Sequence, residues 1–229
     1  MDVNTRIKKL SGHSENLLTF YLGTLRKYSV LDPMLFSQEV CNKYGSKLAS
    51  NGYAVVRDTL YYGVVQDIAN MFFDKGKTNP SILNIKDMLD HELVMKYLEN
   101  KYTSAYASYN KDLNSWYKKQ RRMERAQEFK TYHKELVEYI EILKKDQELK
   151  SCKSIRDGFT AHIDLQYSGG KYSYPNISKY GMKWGTPKRL LTELKPIIER
   201  IGYIVRDAAF GWKSFKSQND RMASGLWSI

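Results

Sequence analysis

Three residues have types and spacing that suit chemistry: Arg156, Asp157 and His162, in the run SIRDGFTAHID at 154–164. Arginine brings a permanent charge on a planar fork that matches a phosphate or its trigonal-bipyramidal transition state. Histidine takes or gives a proton near neutral pH. Together they are a minimal kit for splitting an RNA phosphodiester, where the substrate's own 2′-hydroxyl is the nucleophile. Such a reaction calls for no protein nucleophile, no metal and no cofactor. On an ideal helix, Arg156 and His162 would lie about 120° apart around the axis and about 9 Å apart along it. One helix therefore does not aim both groups at one atom, and a second copy across a two-fold axis would help. The same run also reads as a buried helix with an Arg–Asp pair and an interfacial histidine.

The other histidines give less. His13 falls in an N-terminal stretch expected to fray, His91 at a helix junction and His133 beside an apolar stripe. Each is expected to be a surface or packing residue. There is no phosphate-binding Gly-rich loop, HExxH, CxxC or nucleophile elbow, which excludes the commonest NTPase, zinc-protease and hydrolase readings. Cys41 and Cys152 lack partners at metal spacing and make no disulfide framework, as expected in a reducing compartment.

The elements around the motif read as helical, because apolar residues recur at three and four rather than at two. Two helices, 14–28 and 34–49, are expected to be split at Leu31-Asp32-Pro33. A buried stripe of Tyr53, Val56, Leu60, Val64, Ile68 and Met71 follows, then a helix started by Ser81. A long helix is expected over about 110–149, with Phe129, Tyr132, Leu136, Val137, Ile140 and Leu143 on one side. At about 1.5 Å per residue it would exceed one small domain, so part of it projects or meets a second copy. Thr186-Pro187 opens another helix, which Pro196 should kink. The expected organisation is one all-α domain over 1–229, made of an N-terminal helical hairpin (1–50), a core (51–213) and a C-terminal tail (214–229).

The 229 residues carry 37 Lys and Arg against 25 Asp and Glu, a net charge of +12. This makes a polyanion a natural partner. The excess is +1 over 1–100, +4 over 101–170 and +7 over 171–229. In the tract 168–187, Lys171, Tyr172, Tyr174, Lys179, Lys183 and Trp184 interleave aromatic and basic side chains, as in proteins that stack unpaired bases and neutralise phosphates. The tract reads equally as a surface loop held down by its own aromatics. Lys118, Arg121 and Arg122, in KKQRRMER at 118–125, form either a second RNA-contacting face or a solvated helix face. No stretch approaches the ~18 apolar residues of a membrane span. No apolar block of signal-peptide length follows the N-terminus, so a cytoplasmic protein without membrane contact is expected.

The wording IRDGFTAHID resembles the motif of the HEPN superfamily, in its abortive-infection branch. The upstream segment VVRDTLYYGVVQDIANMFFDKGKTNPSILNIKDML is similar to the helix, acidic turn and Ser-started helix that precede that motif. The resemblance, over roughly residues 50–210, implies a HEPN-like helical bundle, a homodimer with motif helices at its interface, and a metal-independent endoribonuclease used in phage defence or as a toxin. It gives Arg156 the phosphate, His162 the proton transfer, and Asp157 the orientation of Arg156 or of the partner motif. An antitoxin or another defence-system protein would be a further partner. Superfamily toxins silenced by nucleotide transfer carry a tyrosine two residues after the histidine, and Asp164 stands there, which speaks against that form of control. Some superfamily members have the fold without ribonuclease activity. A non-catalytic nucleic-acid-binding or interaction subunit with a HEPN-like fold is the alternative.

Overall fold

Period-3.6 patterning with few β-branched alternations produces nine α-helices and one small hairpin among the described residues. The structure, a computed structural model, describes residues 2–45, 50–76, 78–109, 115–160, 166–168, 171–173 and 177–228. In chain order the helices are α1 (Val3–Phe36), α2 (Gln38–Tyr44), α3 (Ser50–Phe73), α4 (Ile82–Leu89), α5 (Glu92–Tyr109), α6 (Ser115–Lys145), α7 (Gln147–Ile155), α8 (Thr186–Arg206) and α9 (Trp212–Trp227). Strands β1 (Gln166–Ser168) and β2 (Lys171–Ser173) pair antiparallel, with Tyr167 opposite Tyr172. The architecture is all-α, and the hairpin overlaps the start of the 168–187 tract, which the sequence presents only as a loop.

The chain forms two compact units. The first comprises Met1–Leu18, Phe73–Leu143 and Leu194–Phe210. Its core is built from Ile82, Ile85 and Leu89 of α4, Val94 and Leu98 of α5, Phe129, Leu136 and Ile140 of α6, and Ile197 and Ile201 of α8, all buried. Ser81 caps α4, accepting from Asn84 N at 3.2 Å while its hydroxyl donates to the Asp74 carbonyl. Arg125 of α6 donates to the Tyr102 carbonyl at 2.8 Å and to Asp207 at 2.6 Å, and its guanidinium lies 3.9 Å from the Tyr102 ring centre. It is therefore a packing residue, although it sits in the basic run at 118–125.

The second unit comprises Thr19–Phe72, Lys144–Glu193 and Gly211–Ile229. Its core takes Tyr21 and Leu31 of α1, Tyr61, Val64, Ile68 and Phe72 of α3, Leu149, Cys152 and Ile155 of α7, and Leu190 and Leu191 of α8. Asp67 of α3 is buried but satisfied, accepting from Thr24 Oγ1 at 3.1 Å and Lys27 Nζ at 2.6 Å. Arg189 bridges Asp146, Glu148 and Glu193 at 2.6–3.0 Å, tying the start of α7 to α8.

Several expectations need correction. Helix α1 runs unbroken through Pro33 where a split is expected, because Leu31 and Met34 on either side of it are buried and their packing outweighs the one lost backbone bond. Helix α8 holds Pro196 inside its span, as the apolar pattern around it implies. The long helix ends at Lys145, since Asp146 leaves helical geometry and accepts from Leu149 N at 2.8 Å, capping α7. The 31 residues of α6 span about 46 Å. The stripe on α3 is buried only from Tyr61 onward, and Val56 is 48% exposed. Residues 214–227 belong to α9, whose Trp227 Nε1 donates to the Val30 carbonyl at 3.0 Å.

His13 does not fray: it is buried inside α1, and burial, aided by Lys9, lowers its imidazole below the ordinary 6.5. Burial also lowers His133, where the nearby Asp90 opposes the shift and Lys86 adds to it. Both groups resist protonation when folded, whereas the unfolded chain takes up protons near 6.5. Stability is therefore full above that pH and falls as the pH is lowered through it, until the folded imidazoles titrate as well. The urea midpoint is expected to drop between about pH 8 and about pH 5, and replacing both histidines by Gln should flatten the drop.

Candidate functional site

Helix α7 presents the motif. Its apolar positions Leu149, Cys152 and Ile155 are buried, which fixes the helix one residue before Arg156. From Arg156 to Thr160 the backbone widens into a π-turn. Such turns are rare and concentrate at functional sites. The 100° per residue behind the 120° separation of Arg156 and His162 holds only for an α-helix, so that angle does not carry across this segment.

The Arg156 side chain, 18% exposed, is held from two sides. Nε donates to Asp157 Oδ1 at 2.8 Å, and Nη2 forms an ion pair with the same oxygen at 2.7 Å. Nη1 donates to Asn70 Oδ1 on α3 at 3.3 Å. Asp157 is about half exposed and has Lys153 Nζ 4.0 Å from its other oxygen. Asn70 is positioned in turn by the buried run Ile68, Ala69, Met71 and Phe72, and by Asp67 fastened to α1 one turn earlier. The result is a guanidinium held between Asp157 and Asn70. Cys152, one turn before Arg156, is no nucleophile: burial, reinforced by Asp146 and Glu148, pushes its thiol up to about 12.

Of the other sequence-derived candidates, His162 and Tyr174 lie outside the described residues, and Lys171 and Tyr172 fall in β2. Lys179 is exposed in a 3₁₀ turn over Ile177–Tyr180. Lys183 is exposed too, and its carbonyl accepts from Tyr61 OH of α3 at 2.9 Å. Trp184 stands edge-to-face with Tyr61 at 4.9 Å, and Arg57 lies 4.9 Å over its ring, yet it stays 39% exposed. Its ring is therefore a packed platform rather than a free-standing one. Lys118, Arg121 and Arg122 belong to the other unit, where Arg121 pairs with Glu124 at 2.6 Å. The structure thus places Arg156, Asp157, Lys179, Lys183 and Trp184 in one unit and the α6 cluster in the other. The C-terminal charge excess is also less open than its total suggests, since Lys188, Arg189, Lys195, Arg200 and Lys216 all form ion pairs.

Asn70 and Tyr61 are the contributors that reading the motif alone misses. A lone amide in the apolar run IANMFF is the signal for the first. The second shows only as a tyrosine on a buried face, where its hydroxyl must find a partner.

Among the described residues, no helix is long and apolar enough to cross a membrane. Comparison with curated proteins and with solved structures gives no match. The HEPN family described as AbiU2 matches residues 7–225, a span that includes Arg156, Asp157 and His162. With nearly its whole length matched, the chain belongs to the AbiU2 family, in the abortive-infection branch of the HEPN superfamily.

Proposed function

We propose that the protein is a metal-independent endoribonuclease that acts in phage defence or as a toxin. The observation that carries this reading is the Arg156 guanidinium, fixed by Asp157 and Asn70 at the head of the family's motif. In the proposed reaction a ribose 2′-oxygen attacks the adjacent phosphorus, the bond to the 5′-oxygen breaks, and a cyclic phosphate results. Arg156 stabilises the charge that builds on the nonbridging oxygens. His162 moves a proton, either from the 2′-hydroxyl or to the departing 5′-oxygen. A homodimer would place a second motif at the cleft and supply the complementary proton transfer. Lys179, Lys183 and Trp184, with Lys171, Tyr172 and Tyr174, would hold the strand, and Lys118, Arg121 and Arg122 would offer further phosphate contacts.

Purified protein is expected to cut RNA in the presence of EDTA, leaving cyclic-phosphate or 3′-phosphate ends. His162→Ala should abolish cutting with an unchanged circular dichroism spectrum. Cleavage that survives in this variant removes His162 from the mechanism.

The Arg156–Asp157 pair also favours a second reading, because an ion pair of this kind serves structure as readily as catalysis. In that reading the protein binds nucleic acid or a partner protein without cutting. Salt-sensitive RNA binding, unaltered by Arg156→Ala and His162→Ala and without cleavage, would select it.

A further inference from the structure

Asn70 does something a simple prop would not need to do. Arginine carries only donors, so whichever atom of the Asn70 amide meets Arg156 Nη1 at 3.3 Å must be its oxygen. That contact fixes the sense of the amide and turns Nδ2, with its two N–H donors, away from the nitrogen it touches. A carboxylate at this position would grip Arg156 harder, through a charge-assisted bond. Asp157 already does so from the other edge, and it can only accept. What the amide adds is donors, half-buried beside a fixed cation on the last turns of α3. An oxyanion drawn to the guanidinium meets those donors next, and a helix surface without a charged side chain at 70 leaves room for its negative charge.

We propose that Asn70 is a phosphate ligand of this site, aligning Arg156 through Oδ1 and donating an Nδ2 hydrogen to a nonbridging oxygen of the scissile RNA phosphate. The proposal rests on the ribonuclease reading for the identity of the phosphate ester, but the anion-binding geometry stands apart from it. Asn70 then touches the reacting group and counts as a catalytic residue, and α3 supplies part of the site together with α7.

The discriminating variant is Asn70→Asp, nearly isosteric at a half-buried position. It keeps the hold on Arg156 and removes the donors. Gln66→Glu controls for charge alone, because it adds the same charge one turn earlier on the same helix. If wild-type protein cuts RNA, Asn70→Asp and Asn70→Ala should each lower kcat by about 10²-fold or more, with KM little changed and Gln66→Glu within a few-fold of wild type. An Asp variant that retains near-wild-type kcat, or a Gln66→Glu variant that loses as much, reduces Asn70 to a prop and overturns the proposal. If wild-type protein cuts no RNA, the ribonuclease reading fails and inorganic phosphate decides instead. Phosphate should raise Tm at constant ionic strength in the wild type and in Gln66→Glu, but not in Asn70→Asp. The absence of a phosphate-dependent rise in the wild type, or its persistence in Asn70→Asp, overturns the proposal.

Discussion

Arg156→Lys is expected to cost RNA cleavage about 10²-fold or more in kcat while leaving Tm nearly unchanged. The substitution keeps the positive charge, so a site that needs only a cation would tolerate it. It removes the planar fork, and with it the arrangement in which Nε and Nη2 meet Asp157 while Nη1 reaches Asn70 on a different helix. A lysine ammonium has one nitrogen on a flexible stem and cannot meet both partners in that geometry. Its charge would settle against Asp157 and no longer face a phosphate in a fixed plane. Fold stability should hold because the Arg156–Asp157 pair sits partly in water, where ion pairs contribute little. Initial rates in EDTA and a thermal melt of each variant provide the check. A Lys variant that cuts at the wild-type rate would show that the fork is not used.

The largest effect on stability is expected at Tyr61. Its side chain is fully buried, its ring meets Trp184 edge-on, and its hydroxyl donates to the Lys183 carbonyl. Tyr61→Ala should lower unfolding free energy by about 3–5 kcal/mol through the cavity and the lost apolar burial. Tyr61→Phe keeps the ring and should lose about 1 kcal/mol, the net worth of a hydrogen bond. Urea denaturation gives both values. The Ala change also releases the segment that precedes α8, so trypsin should cut faster after Lys179 and Lys183 in the native state. A midpoint shift for Tyr61→Ala no larger than that for Tyr61→Phe would contradict this account of the packing.

The helices that proved legible were those whose signal is local. Ser81 before the Ile82, Ile85, Leu89 spacing marks the start of α4, and Phe129, Leu136, Ile140 and Leu143 mark the buried face of α6. The expectations that failed are ones where tertiary packing outweighs a local rule. Pro33 is a helix breaker by itself, yet buried Leu31 and Met34 carry α1 past it. Thr186 does open α8 as expected, without capping it through its side chain. Its hydroxyl instead accepts from Lys183 N at 3.1 Å and donates to Glu148 at 2.9 Å, in the network around Arg189. Within the site, the adjacency of Arg156 and Asp157 could be read because neighbours in sequence are neighbours in space. Asn70 could not, because the 86 positions separating it from Arg156 are closed only by the packing of α3 and α7.

The π-turn at Arg156–Thr160 bears on how strictly the motif's length is constrained. Each of its hydrogen bonds spans one residue more than an α-helical bond does. The chain therefore carries surplus length just after the arginine. A one-residue deletion there has somewhere to be absorbed, since the turn can tighten to α geometry, whereas an insertion would have to be pushed downstream. A motif shortened within Arg156–Thr160 would keep α7 and its arginine in place.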